Sequence, residues 1–104
     1  MAQALQKRRL GKTGLEVTVF GFGCIKFPDI SAEQAAGALD RALDLGVNFL
    51  DTARGYGDSE EKIGPVLRRR RDQVYIATKT GKRTADGVMQ ELETSLRNLQ
   101  TDVI

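Results

Sequence analysis

Three apolar runs, VFGFG (19–23), VNFLD (47–51) and QVYIATK (73–79), are each followed by a stretch of helical character. Strands separated by helices of about 10–15 residues lie parallel, because the intervening helix carries the chain back across one face of the sheet. The first helical stretch, AEQAAGALDRALDLG, opens on Ser31 with Gln34 three residues on, a capping box. Its apolar residues Ala35, Leu39, Ala42 and Leu43 recur at helical spacing, and Gly46 can close it. Asp58 and Glu61 form the pattern of a second capping box, with acids at the positive end of that helix and arginines at its negative end. Pro65 lacks a backbone donor, which predicts a break near Gly64 and a second helical piece starting at the proline. The third helix is expected over ADGVMQELETSLRNL (85–99), with Val88, Leu92, Leu96 and Leu99 on one stripe. TDVI (101–104) reads as the start of a fourth strand. Ahead of all this, LQKRRL (5–10) and LEVTV (15–19) flank GKTG, whose glycines at 11 and 14 suit a hairpin turn.

Two α/β architectures compete for this order. In a doubly wound nucleotide-binding sheet, Gly21 and Gly23 would begin the phosphate fingerprint. Its third glycine falls on Lys26, however, and the helix opens at Ser31, away from the glycines. LGKTG resembles the end of a phosphate loop, but the upstream glycine that loop needs falls on Gln6. In a (β/α)8 barrel the functional groups stand where strands end. Here Gly23-Cys24 closes the first strand, Asp51 the second and Lys79 the third. The expected fold is therefore α/β, a partial (β/α)8 barrel with an N-terminal hairpin and about three and a half β/α units. Residues 1–104 make a single incomplete domain of it, since a whole barrel takes about 250 residues.

Composition narrows the chemistry. The 104 residues are 40% hydrophobic and 29% charged, with a net charge of +2, too small to point to nucleic acid. The basic run at 68–71 has no aromatic platform beside it and reads as a solvated helix terminus. No stretch approaches the roughly 20 apolar residues of a membrane span, and no apolar signal region follows the N-terminus. Cys24 is the single cysteine, so an internal disulfide is excluded and a reducing, cytoplasmic setting is expected. The chain holds no histidine. Zinc sites and Ser-His or Cys-His catalysis are excluded with it, and no metal is expected.

DTARGYGDSEEKIG (51–64) ends an apolar run on a carboxylate and places a tyrosine five residues later. Period-2 alternation sets Phe49 with Asp51 on one strand face and Tyr75, Ala77 and Lys79 on one face of the next. Parallel neighbours then bring Asp51 and Lys79 together, with Tyr56 on the loop above. A free phenol, with a pKa near 10, is a poor donor at neutral pH. A nearby ammonium favours the phenolate and makes such a group a general acid able to protonate a carbonyl oxygen as hydride arrives. Taken singly, each residue has a plainer reading: Asp51 turns a loop, Tyr56 packs over a core edge, and Lys79 is a solvated strand end. Cys24 either lines a cofactor site or is a small buried residue.

These segments resemble the N-terminal part of an aldo-keto reductase. RRLGKTGLEVTVFGFGC is similar to the family's opening hairpin and first strand. RALDLGVNFLDTARGYGDSEEKIG is similar to its second unit, with the D-x-A-x-x-Y signature on Asp51, Ala53 and Tyr56, and VYIATKT to the strand carrying its lysine, here Lys79. DTARGYGDSEEKIG looks closest to a bacterial and archaeal branch, some of whose members append an iron–sulfur domain. The resemblance implies reduction of aldehyde or ketone carbonyls by NADPH. Tyr56 would be the acid, with Lys79 tuning it and Asp51 pairing with the lysine. A histidine near the end of the fourth strand would complete the set, but the chain has none. Gly23, Cys24, Ile25 and Asp51 are the expected cofactor contacts, at the nicotinamide end; the family's phosphate and adenine contacts fall mostly on later strands. The chain alone is expected to be inactive. The alternative is a non-catalytic half-barrel that covers its open sheet edges by pairing with a second copy.

Overall fold

The computed structural model describes residues 4–104. An antiparallel hairpin of β1 (Lys7–Arg9) and β2 (Glu16–Thr18) comes first, in the register Arg8↔Val17. Its turn needs Gly11 and Gly14, which take φ of +55° and +78°. Then β3 (Phe22–Gly23), α1 (Ala32–Asp44), β4 (Phe49–Asp51), α2 (Ser59–Arg70), β5 (Tyr75–Ala77) and α3 (Ala85–Leu99) alternate. The three later strands form one parallel sheet in the order β3-β4-β5. Helices α1, α2 and α3 follow one another along its convex side, each packed on the last. This is an arc of a (β/α)8 barrel.

Alternation along the strands explains the two faces. Leu50 and Ile76 point toward the helices and are buried with Leu39, Ile63, Leu67 and Leu99. Phe49, Asp51, Tyr75 and Ala77 point the other way and remain part-exposed. Beside them is a hollow of about 520 Å³ whose apolar walls include Val17, Phe49, Tyr75 and Ile104. The hairpin is fastened at the N-terminal end of the sheet by Asn48, the residue before β4. Asn48 Oδ1 accepts from Thr18 N–H (2.7 Å), and Asn48 Nδ2 donates to the Glu16 carbonyl (2.9 Å).

Ser31 caps α1 with the reciprocal bonds its sequence predicts, and Gly46 closes the turn after it at φ +103°. Four expectations fail. The second helix is not broken: α2 runs through Pro65 from Ser59 to Arg70. Pro65 and Glu61 are both exposed, so the carbonyl that loses its partner faces water instead of the core. Asp58 makes no side-chain cap, because its backbone (φ −99°, ψ 21°) is not extended; it pairs with Lys62 at 3.0 Å instead. Residues 101–104 form no strand. Thr101 Oγ1 and Arg71 Nη2 hold the Val103 carbonyl in a bend, at 3.2 and 2.8 Å. The strands are also shorter than their apolar runs. Val19 N–H bonds to the Gln6 carbonyl (2.9 Å), so that residue extends the hairpin and does not start β3.

Candidate active site

The C-terminal ends of the parallel strands form a rim opposite the hairpin. Asp51 is the last residue of β4, level with Gly23 on one neighbour and Ala77 on the other. Lys79 lies two residues past the end of β5. Its ammonium donates to Asp51 Oδ2 at 2.8 Å and to the Thr52 carbonyl at 2.7 Å. Tyr56 sits in a tight turn of the β4–α2 loop: its N–H reaches the Ala53 carbonyl (3.1 Å) and its carbonyl takes Ser59 N–H (2.9 Å). That turn brings the phenol ring under the ammonium, with Lys79 Nζ 5.0 Å from the ring centroid. Asp51 and Lys79 are half exposed, so their pairing adds little to stability by itself. Its effect is on charge. The hydrogen bond to Asp51 holds the Lys79 ammonium above the ordinary lysine range despite a small burial penalty, and the Asp51 charge and Tyr56 act in the same direction.

Gly23 and Ile25 are exposed beside Asp51, whereas the Cys24 side chain turns away from the rim into the core. The Cys24 N–H donates to the Asp51 carbonyl (2.9 Å), and its carbonyl accepts from Ser59 Oγ (3.0 Å). Burial, then the nearby Asp51 charge, push its thiol up to about 12, with Lys79 opposing. Ser59 spends its single proton on Cys24, so Thr52 Oγ1 is the donor in the 2.8 Å bond between the two hydroxyls. This chain of buried bonds ties β3, β4 and the start of α2 together directly under the rim.

In the sequence Glu60 looks like one more acid at a helix start. Its side chain is only 1% exposed and receives four donors. Ser95 Oγ (2.6 Å) and Thr78 Oγ1 (2.7 Å) reach Oε2, while Arg54 Nη1 (2.9 Å) and Asn98 Nδ2 (3.3 Å) reach Oε1. A signal was present: Glu60 shares a helical face with Ile63, Gly64 and Leu67, all buried. A lone acid on an apolar stripe has to be fully partnered, and it marks a junction between elements. The arginines at 68–71 are likewise not a free basic patch. Arg69 and Arg70 pair with Asp40 at 3.1 and 3.2 Å, and Arg70 with Asp44 at 2.8 Å, stapling α2 to α1.

Among the described residues no group of three potential ligands could hold a metal ion, and no helix is long and apolar enough to cross a membrane.

The same arrangement of strands recurs in known proteins. The Aldo/keto reductase family model matches residues 19–104. Oxidoreductase YqkF of Bacillus subtilis is 34% identical over 96% of this chain, which spans 37% of that protein. L-galactose dehydrogenase of Arabidopsis thaliana is 32% identical, again over 96% of the chain and 36% of the relative. Among solved structures, the holo form of an aldo-keto reductase from Bacillus halodurans superposes with a TM-score of 0.86 at 34% identity. It is matched over 96% of this chain and 38% of its own. An aldo-keto reductase from Klebsiella pneumoniae in complex with NADPH gives 0.84 at 29% identity, over 96% and 37% of the two chains. This chain thus spans little more than a third of each of these four relatives. A rim that gathers an aspartate, a tyrosine and a lysine at the ends of parallel strands sits wholly inside the matched segment, and the chain belongs to the aldo/keto reductase family.

Proposed function

We propose that this chain is the N-terminal part of an enzyme that reduces aldehyde or ketone carbonyls with NADPH, and that Tyr56 is its general acid. The observation that carries the reading is the ammonium of Lys79, bonded to Asp51 at 2.8 Å and standing 5.0 Å from the Tyr56 ring centroid. As a carbonyl oxygen gains electron density, the phenol hands it a proton, and the adjacent cation stabilises the charge the phenol then develops. Asp51 and the Thr52 carbonyl keep that cation in place. When bound, the nicotinamide supplies the hydride. The residues present suit its ring end: Gly23 leaves open space level with Asp51, and Ile25, 56% exposed, offers an apolar surface beside it. Cys24 contributes its backbone to the rim and not its thiol. The phosphate contacts and the histidine implied by the family resemblance would come from outside these residues, so the chain by itself does not turn over.

In a protein completed after residue 104 with the remaining barrel units of a matched relative, Tyr56→Phe should lower carbonyl reduction by about 10²-fold or more while leaving NADPH binding intact. Turnover at the parent rate would remove Tyr56 from this role.

A second reading has one observation in its favour. The outer edge of β5 has no strand partner among the described residues, and the hollow of about 520 Å³ lies along it. Two copies pairing there would cover both. Sedimentation of the 104-residue chain should then give a dimer whose dissociation follows concentration; a stable monomer at all concentrations would end this reading.

A further inference from the structure

Lys79 stands two residues past the end of β5, where a backbone bond from Arg54 N–H to the Lys79 carbonyl (2.9 Å) still repeats the spacing of the bond from Thr52 N–H to the Ala77 carbonyl (2.9 Å). On either side of it, the side chains of residues 78 and 80 make contacts of another kind. Thr78 Oγ1 donates to Glu60 Oε2 (2.7 Å), and Thr80 Oγ1 donates to Glu91 Oε1 (3.1 Å). Arg54 grips both of those carboxylates with its guanidinium, Glu60 at 2.9 Å and Glu91 at 3.3 Å. Lys79 is therefore flanked by two threonines, each tied to a carboxylate, while one arginine joins the carboxylates and holds the lysine's own carbonyl.

A buried carboxylate is an expensive way to pack α2 against α3, since apolar residues of similar volume do that at least as well. What it supplies is direction: four donors converge on Glu60, and a shift of Thr78 breaks one of them. We propose that Glu60, through Thr78 and Arg54, is a positioning residue that sets where the Lys79 ammonium stands relative to Asp51 and Tyr56. Its chemical meaning rests on the reading of Tyr56 as acid, but its test does not.

Glu60→Gln is a poor probe, because it turns an amide donor toward Arg54 or toward the two hydroxyls. Thr78→Val and Ser95→Ala are better matched. Each removes one hydroxyl from the same oxygen of Glu60, and only Thr78 lies on the lysine's segment. In lysine-labelled chain, the side-chain resonances of Lys79 are followed against pH by NMR. Thr78→Val, which keeps the shape of the threonine, should move the Lys79 midpoint down by about half a unit. Thr78→Ser should restore it. Ser95→Ala should lower the melting temperature yet leave the Lys79 midpoint where it is in the parent. Equal displacement by Thr78→Val and Ser95→Ala, or none by Thr78→Val, overturns the proposal. Full turnover by Tyr56→Phe would sink the enzymatic reading and leave these midpoints untouched.

Discussion

Cys24 and Glu60 are both buried just under the rim, and burial acts on them in opposite ways. At Cys24 burial, and after it the Asp51 charge, outweigh the opposing charge of Lys79, so the thiol is pushed up to about 12. The native chain should react with a thiol reagent at pH 8 orders of magnitude more slowly than the unfolded chain, as disulfide-exchange absorbance would show. Rapid native labelling would mean that Cys24 is reachable from the rim. At Glu60 burial also works against the charge, but the hydroxyls of Ser95 and Thr78, then Arg54 and Asn98, more than offset it and hold the carboxyl below the ordinary range. The unfolded chain therefore takes up this proton first. Stability from Glu60 is complete above about 4.5 and is lost as pH falls through the lower value in the fold. Glu60→Gln should cost about 1–3 kcal/mol near neutrality, since Arg54 keeps its pair with Glu91. It should also flatten the fall in melting temperature toward acid pH, leaving the part due to Asp40, whose carboxyl the bonds from Arg70 and Arg69 lower against its own burial. An unchanged acid slope would show that Glu60 titrates alike in both states.

At the scale of elements, α2 carries two residues that pull in different directions. Gly64 lies so close to α3 that a methyl group there would run into the Asn98 carbonyl oxygen, which is backbone and cannot swing aside. Gly64→Ala should cost about 1–3 kcal/mol, read as a lower denaturation midpoint. Pro65 is exposed and only removes a hydrogen bond, so Pro65→Ala should stabilise the chain by up to about 3 kcal/mol in the same assay. A loss would mean that the proline ring is held by contacts of its own. The sequence called for a break here because propensity is a local quantity. The helix continues because Ile63, Val66 and Leu67 on either side of the proline are buried against the core, and that burial outweighs one missing donor. Asp58 failed as a cap for a related reason. The turn that presents Tyr56 fixes the backbone entering α2, and no local pattern records that requirement.

Across the whole molecule, the parallel sheet, the helix order and the meeting of Asp51, Lys79 and Tyr56 were legible, because each follows from a period or from a strand end. At the Glu60 junction only the burial of the acid left a mark, on the apolar face of α2; its partners did not. The junction joins residues on α2, the end of β5 and α3 that are up to 38 positions apart, and hydrogen bonds over that distance leave no periodicity behind. The short tail after α3 was misread for the converse reason: TDVI has strand-like residues, but a strand exists only when its backbone finds a ladder partner, and Arg71 takes the Val103 carbonyl first.

The neighbour order β3-β4-β5 has a bearing on synthesis. Within that sheet β4 and β5 each lie beside the strand translated immediately before them, so neither waits for a later strand to leave the ribosome. Each new unit docks on a surface already built, and the rim where Lys79 meets Asp51 closes as soon as the third strand emerges.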